Sequence, residues 1–76
     1  MPPRLAGEVL TPLREALGRY GISQSSLARS LNCDRRQVGM WVRGDHVPNP
    51  ERREQIARVL GVEPAELWPD AERAAA

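Results

Sequence analysis

Apolar residues recur at intervals of three and four positions along most of the chain, and this spacing places them on one face of a helix. No stretch alternates apolar and polar residues for long enough to predict a strand. The pattern therefore predicts an all-α protein, a compact bundle of five short helices around one small core. The predicted core consists of Leu13, Leu17, Ile22, Leu27, Ala28, Leu31, Val38, Trp41, Ile56, Leu60, Val62 and Leu67.

The first helix is predicted to begin after Thr11, an N-cap residue, with Pro12 at its first position. It would run to about Arg19. A start near Leu5 would place Pro12 inside the helix, where proline removes a hydrogen bond and clashes with the preceding turn. The sequence thus predicts an N-terminal arm over residues 1–9.

Two further helices, 24–31 and 35–42, are predicted with a tight turn between them. Asn32 follows the first of these helices, and asparagine tolerates the left-handed backbone conformation that a sharp turn requires. Asp34 is the predicted N-cap of the second, where its negative charge suits the positive end of the helix dipole. Gly44 ends that helix.

A fourth helix is predicted to open at residues 49–51, where an asparagine cap is followed by a proline and then an acid. Its inward face would carry Ile56, Val59 and Leu60. Gly61 follows Leu60 and closes the helix, because glycine adopts the left-handed conformation without steric cost. The fourth helix is therefore expected to bury three aliphatic side chains in the core.

A last short helix is predicted to start at residues 63–64 and to end at Pro69. We expect a folded domain over residues 10–69. Trp68 either caps the core or lies on a dimer interface. Residues 70–76 form a C-terminal tail, which either extends as a frayed helix or lacks regular structure.

Charge is unevenly distributed, although the net charge is only +1. Residues 14–43 carry six arginines against two acids, whereas residues 44–76 carry four arginines against seven acids. All eleven basic residues are arginines. The basic half is the half with the paired helices, which suggests that this side of the protein faces a polyanion.

Several classes of protein are disfavoured by composition. Cys33 is the only cysteine, so an intramolecular disulfide and a cysteine-based zinc site are excluded. His46 is the only histidine, and no nucleophile–base pair or glycine-rich phosphate loop occurs, so we expect neither an enzyme nor a small-molecule substrate, cofactor or metal. No apolar run is long enough to span a membrane and no signal peptide is evident, so a cytoplasmic protein is expected.

Apolar, small and turn-forming residues stand at fixed offsets through the two-helix unit and beyond it. They are Ile22-Ser23-Gln24, Leu27-Ala28, Leu31, Val38, Trp41 and Arg43-Gly44, then Val47-Pro48-Asn49-Pro50, Ile56-Ala57, Leu60-Gly61-Val62 and Glu66-Leu67. This arrangement resembles the helix-turn-helix family of phage Cro and C1 repressors, also called XRE-like regulators. The resemblance runs from Leu13 to Trp68 and implies a lambda-repressor-like DNA-binding domain.

The chain departs from the family pattern at three positions. Asn32 stands where the family usually has glycine, and Val42 stands where an acid is frequent. Ser26 stands where the family often has glutamate, so Ser23 has no partner for a capping box. These departures affect the expected stability of the second helix but not the expected fold.

The third helix is predicted to read DNA. With Val38 facing inward, Arg36 and Met40 point outward at 100° per residue, and the resemblance implies base contacts from Arg35, Arg36, Gln37 and Met40. Arginine can donate two hydrogen bonds to guanine, glutamine can pair with adenine in the same way, and methionine can contact a thymine methyl group. Gly39 would let the helix backbone approach the DNA closely.

Phosphate contacts are expected on either side of this helix. By resemblance to the family, Gln24 at the start of the second helix is a backbone contact, and the helix N-terminus adds main-chain donors. Arg43 is a second anchor, one turn beyond the base-reading residues. Arg52, or its neighbour Arg53, adds a third. Such contacts fix the register on the duplex but do not read sequence.

The leading hypothesis is a sequence-specific transcriptional regulator, a repressor that binds double-stranded DNA as a homodimer. The dimer surface is expected from the last helix and the tail, where Leu67, Trp68 and the terminal alanines offer apolar area. The alternative is a protein-interaction module, such as an antitoxin or an adaptor, that uses the same fold and binds a protein through its acidic half.

Overall fold

The computed structural model describes residues 11–75, and all regular structure in that range is α-helical. The helices are α1 (Pro12–Tyr20), α2 (Gln24–Leu31), α3 (Arg35–Arg43), α4 (Pro50–Leu60), α5 (Pro64–Leu67) and α6 (Pro69–Ala75). The all-α prediction is confirmed, with six helices instead of five, because the chain resumes a helix at Pro69. The predicted arm over residues 1–9 lies outside the described range.

Each of the first four helices has a capping residue at both ends. The predicted N-caps Thr11, Ser23, Asp34 and Asn49 accept hydrogen bonds from the backbone amides of Arg14, Ser26, Arg36 and Arg52 at 2.8–3.1 Å. The C-caps Gly21, Asn32, Gly44 and Gly61 all adopt the left-handed conformation. Local sequence therefore accounts for where these helices begin and end.

The core lies between α1, α3, α4 and α5, with α2 packed on α3 and α4. The predicted core is confirmed, with nine of its twelve members buried and Ile22, Leu31 and Val62 partly buried at its edge. The buried members are Leu13, Leu17, Leu27, Ala28, Val38, Trp41, Ile56, Leu60 and Leu67. Because this core joins five helices, it holds the two-helix unit in a single orientation.

Val59 does not face inward, so that part of the prediction for α4 is wrong. Its side chain is 40% exposed, whereas Ile56, Ala57 and Leu60 are buried. The inward arc of α4 also includes Arg53, which is 6% exposed. At 100° per residue, these four inward positions centre the arc about 110° away from Val59.

Leu67 and Trp68 are buried in the core of their own chain, at 3% and 8% exposure. Of the two places expected for Trp68, the structure shows the core. These two residues offer little area to a second copy of the chain, so the expected dimer surface on them is wrong. The break between α5 and α6 falls at Trp68, whose backbone lies outside the helical region (φ −134°, ψ 67°).

Arg53 joins three segments of the chain from inside the protein. Its Nη1 donates to the carbonyl oxygen of Pro48 at 2.8 Å, and its Nε donates to Oε2 of Glu72 at 2.7 Å. Pro48 lies in the loop between α3 and α4, and Glu72 lies on α6. A buried guanidinium needs such partners because desolvation of an unpaired charge is costly. The ion pair therefore attaches α6 to the domain.

Thr11 connects the start of α1 to the end of α3. Its hydroxyl donates to the carbonyl oxygen of Val42 at 2.6 Å while it accepts from the amide of Arg14. A Cβ at Gly44 would lie 3.3 Å from the Thr11 methyl group, and Gly44 has a φ of +84°. A side chain at position 44 would thus be strained in its backbone and crowded by α1.

Candidate nucleic-acid interface

The turn between α2 and α3 is fixed by its own backbone. Asn32 has a φ of +55° and is the one non-glycine residue with positive φ among the described residues. The amides of Asn32 and Cys33 donate to the carbonyls of Arg29 and Ala28 at 3.2 and 3.0 Å, which satisfies the last turn of α2. Cys33 is half-buried in this turn. The turn therefore sets the angle at which α3 leaves α2.

The α3 helix presents two chemically distinct faces. Val38, Trp41 and Val42 are buried and attach the helix to the core. Of the residues predicted to contact bases, Arg35, Arg36 and Gln37 are exposed, and Met40 is half-buried. Three of the four predicted reading residues are thus accessible, and the buried face of the same helix holds them in place.

The two arginines at the start of α3 lie where the helix dipole is unfavourable to cations. Asp34 offsets part of this penalty, because its Oδ1 accepts from the amide of Arg36 at 2.8 Å. Neither the Arg35 nor the Arg36 side chain has an ion-pair partner within residues 11–75. Two guanidinium groups are therefore available to an anionic ligand.

An open groove runs along one side of α3 and joins it to the start of α2. It is lined by Gln24, Asp34, Arg35, Arg36, Gly39 and Arg43. The structure thus brings together two of the three predicted phosphate anchors, Gln24 and Arg43, with two of the predicted base-contact residues. Helix α2 begins at Gln24, so the start of this helix borders the same groove.

Gly39 lies beneath two polar side chains. A Cβ at this position would lie 3.2 Å from Nη1 of Arg43 and 3.7 Å from Oε1 of Gln24. Gly39 is consequently buried beneath these side chains, and its expected close approach to DNA stays a prediction. Its physical role is to let the two side chains fold back across α3.

Arg43 forms an ion pair that sequence reasoning missed. Its Nε donates to Oδ2 of Asp45 at 3.0 Å, and both side chains are more than half exposed. Asp45 reaches Arg43 because Gly44 turns the chain back, and the Asp45 amide donates to the carbonyl of Met40 at 2.9 Å. The available signal was a charge of opposite sign immediately after the glycine that ends the helix.

A second groove lies on the other side of α3. It is lined by Gln37, Met40, Trp41, His46, Val47, Pro48, Asn49 and Arg52. The Arg52 guanidinium lies 6.0 Å from the centre of the Trp41 ring, and its Nη1 donates to the carbonyl oxygen of Leu31 at 3.1 Å. The predicted anchor Arg52 is therefore near α3, but its guanidinium already binds the end of α2.

Arg53, the alternative third anchor, is not available to DNA. Its guanidinium is buried and is bound by Pro48 and Glu72, so the expectation of a phosphate contact at this residue is wrong. Arg53 follows Arg52 by one position, and the 100° rotation between them carries its side chain into the core.

Residues 11–75 lack the marks of two other protein classes. No three His, Cys, Asp or Glu side chains there lie close enough together to hold a metal ion. Among the helices of the described range, none has both the length and the hydropathy to cross a membrane. His46, the sole histidine, is exposed in the loop after α3.

Comparison with known proteins assigns the chain to a family. A helix-turn-helix family model matches residues 13–67, which is well over half of the chain. Neither the curated proteins nor the solved structures gave a match. Members of the matched family are DNA-binding regulators and are typically not enzymes. The chain therefore belongs to the Cro/C1-type, or XRE-like, helix-turn-helix family of DNA-binding transcription regulators.

Proposed function

We propose that the protein is a sequence-specific regulator that inserts α3 into the major groove of double-stranded DNA and acts as a repressor. The accessible face of α3 is the observation that carries the proposal. It holds Arg35 and Arg36, without ion-pair partners in the described range, beside exposed Gln37. An α-helix fits the major groove, and residues at its N-terminal end reach the base edges.

Each reading residue has a distinct chemical role in this proposal. Arg35 and Arg36 donate paired hydrogen bonds to O6 and N7 of guanine, and Gln37 pairs with N6 and N7 of adenine. Met40 contacts a thymine methyl group or the sugars beside it. The half-buried position of Met40 suits an apolar contact, because the residue is already partly removed from water.

Gln24, Arg43 and Arg52 hold the duplex by its phosphates in this proposal. Gln24 and Arg43 meet over Gly39, so they approach one phosphate or two adjacent ones from the first groove. Arg52 lies in the second groove and contacts the opposite strand with the N–H groups that Leu31 leaves unused. Contacts on both sides of α3 would fix its depth and register.

A single module of this size reads a short half-site, so we propose that two copies bind a symmetric operator. Half-sites would then lie about 34 Å apart, one turn of the duplex. Occupied operators exclude other proteins from the same groove, which supports repression. The mass of the complex in solution, measured by sedimentation with operator present, tests this part, and a monomer at high micromolar concentration would contradict it.

Selection from a random pool of duplexes by the purified protein tests the central proposal. We expect enrichment of a short motif with guanines where Arg35 and Arg36 dock. The logarithm of the binding constant should fall with the logarithm of salt concentration, by about 0.9 for each phosphate engaged. Failure of every duplex in a large pool to be enriched would refute sequence-specific DNA binding.

Charge segregation favours one other candidate function. Acidic residues are concentrated on α4 to α6 and the segments beside them, where Glu51, Glu54, Glu63, Glu66 and Asp70 are all exposed. Such a surface suits a basic protein partner, as in an antitoxin or an adaptor. The two functions are separable, because substitution of these acids would weaken the protein complex and leave the selected duplex bound.

A further inference from the structure

Asp45 places a negative charge beside the residues proposed to bind phosphate. Phosphates repel a carboxylate, so an acid on this surface is unfavourable for DNA binding unless it has a compensating role. The fold does not require it, because the Asp45 amide bonds Met40, and any residue except proline supplies that amide. The one side-chain partner of Asp45 within the described residues is Arg43.

The geometry of Arg43 shows what the carboxylate does. The side chain folds back along α3 over Gly39, and its Nη1 lies 3.2 Å from the point where a Cβ would stand. Asp45 holds the guanidinium there through Nε. An arginine has five N–H donors, so a bond at Nε leaves those on the two terminal nitrogens for another acceptor. Of these nitrogens, Nη1 lies near Gln24, and Arg43 lines the groove that also contains Arg35 and Arg36.

We propose that Asp45 is a positioning residue that raises the sequence specificity of DNA binding by acting through Arg43. The inference rests on the proposed function. In the cognate register, the terminal nitrogens of Arg43 reach a phosphate while Nε remains on Asp45, so little side-chain entropy is lost. In other registers, Arg43 must leave Asp45 to follow the phosphate, and the carboxylate is then unpaired beside a polyanion.

Binding of the intact protein to two duplexes tests this proposal. One duplex carries the motif selected by the wild-type protein, and the other has the same composition in scrambled order. The variant Asp45→Ala should bind the scrambled duplex about 3-fold more tightly and the cognate duplex about 3-fold less tightly, since a freed arginine costs more to immobilise. The ratio of the two affinities should therefore fall about 10-fold. The variant Asp45→Asn keeps an acceptor for Nε and should retain cognate affinity.

Two controls separate positioning from plain repulsion. Asp70→Ala removes the same charge from an exposed position on α6 and should leave the affinity ratio unchanged. In an Arg43→Ala background, Asp45→Ala should no longer lower the ratio, because the residue it positions is gone. A fold defect is excluded by comparing the thermal midpoints of the variants, which should agree with that of the wild type.

The remaining outcomes overturn the proposal. If Asp45→Ala tightens both duplexes by one common factor, Asp45 acts by repulsion alone. If neither affinity changes, or if the ratio falls equally in the Arg43→Ala background, Asp45 does not act through Arg43. If the wild-type protein selects no duplex at all, the proposed function itself is wrong. If it selects a duplex but Asp45→Ala leaves the affinity ratio unchanged, only the role of Asp45 is wrong.

Discussion

Two pairs of consecutive arginines occur near helix starts, and the structure uses them in opposite ways. Arg35 and Arg36 follow the cap of α3 and are exposed, without ion-pair partners in the described range. Arg52 and Arg53 follow the cap of α4 and bind the protein itself. In the sequence, the pairs look alike, since each lies within four residues after an Asx cap.

The difference comes from the acceptors that surround each pair. Around Arg53 the fold gathers a carbonyl from the preceding loop and a carboxylate from α6, 19 positions along the chain. Around Arg52 it places the last carbonyl of α2 and an indole ring. At the start of α3, the Asp34 carboxylate accepts from the backbone amide of Arg36 and not from either guanidinium group. Position relative to the core, not local sequence, decides whether an arginine stabilises the fold or is free to bind a ligand.

The largest effect should come from Arg53→Met, which keeps most of the side-chain volume and removes the charge. We expect a loss of about 3 kcal/mol in the free energy of unfolding, because the buried Pro48 carbonyl and the partly buried Glu72 carboxylate lose their donor. Urea denaturation measures this free energy. Arg58→Met, at an exposed position on the same helix, is the matched control and should change stability by less than about 0.5 kcal/mol. Equal losses in both variants would contradict the role given to Arg53.

Arg36→Ala should instead weaken DNA binding and leave the stability of the fold nearly unchanged. We expect a loss of about 1–3 kcal/mol in binding to the selected duplex and relaxed preference at one base pair, because one bidentate contact to guanine is removed. The free energy of unfolding should stay within about 0.5 kcal/mol of the wild-type value. Fluorescence anisotropy with the selected duplex and its single-base variants measures the first effect. Unchanged affinity for every duplex would remove Arg36 from the reading surface.

Arg52→Ala should lower both the stability of the fold and the affinity for DNA, each by a smaller amount. Loss of the hydrogen bond to Leu31 and of the contact with Trp41 should lower the free energy of unfolding by about 1 kcal/mol. If Arg52 also binds phosphate, affinity for all duplexes should fall together, and the salt dependence should decrease by about 0.9. A salt dependence equal to that of the wild type would show that Arg52 only supports the fold.

Most of the architecture could be predicted from the sequence, because it depends on local rules. Caps such as Thr11 and Asp34, the left-handed Asn32 and the buried face of α3 all follow from neighbours within four positions. The helical period also separated Val38 from Arg36. For these features, the interactions that form the element are encoded next to each other in the chain.

The features that prediction missed depend on residues far apart in the chain or on a reversal of its direction. Arg53 was expected on the surface because its partner Glu72 lies 19 positions away along the chain. Only the folded structure shows that α6 brings the two residues together. Val59 was expected inside, but the buried face of α4 includes Arg53 and is centred away from Val59. Trp68 was expected at an interface or in the core, and only its burial in the folded chain distinguishes the two. Asp45 meets Arg43 through the turn at Gly44.

The hydroxyl of Thr11 links the first turn of α1 to the end of α3, so motion at the end of α3 should affect that turn. It accepts a hydrogen bond from the amide of Arg14, three positions along the chain, and donates one to the carbonyl of Val42, 31 positions along the chain. Local opening events in small domains involve groups of hydrogen bonds that break together. Exchange of the Arg14 amide with deuterium should therefore slow when a ligand fixes α3, although Arg14 lies outside both grooves.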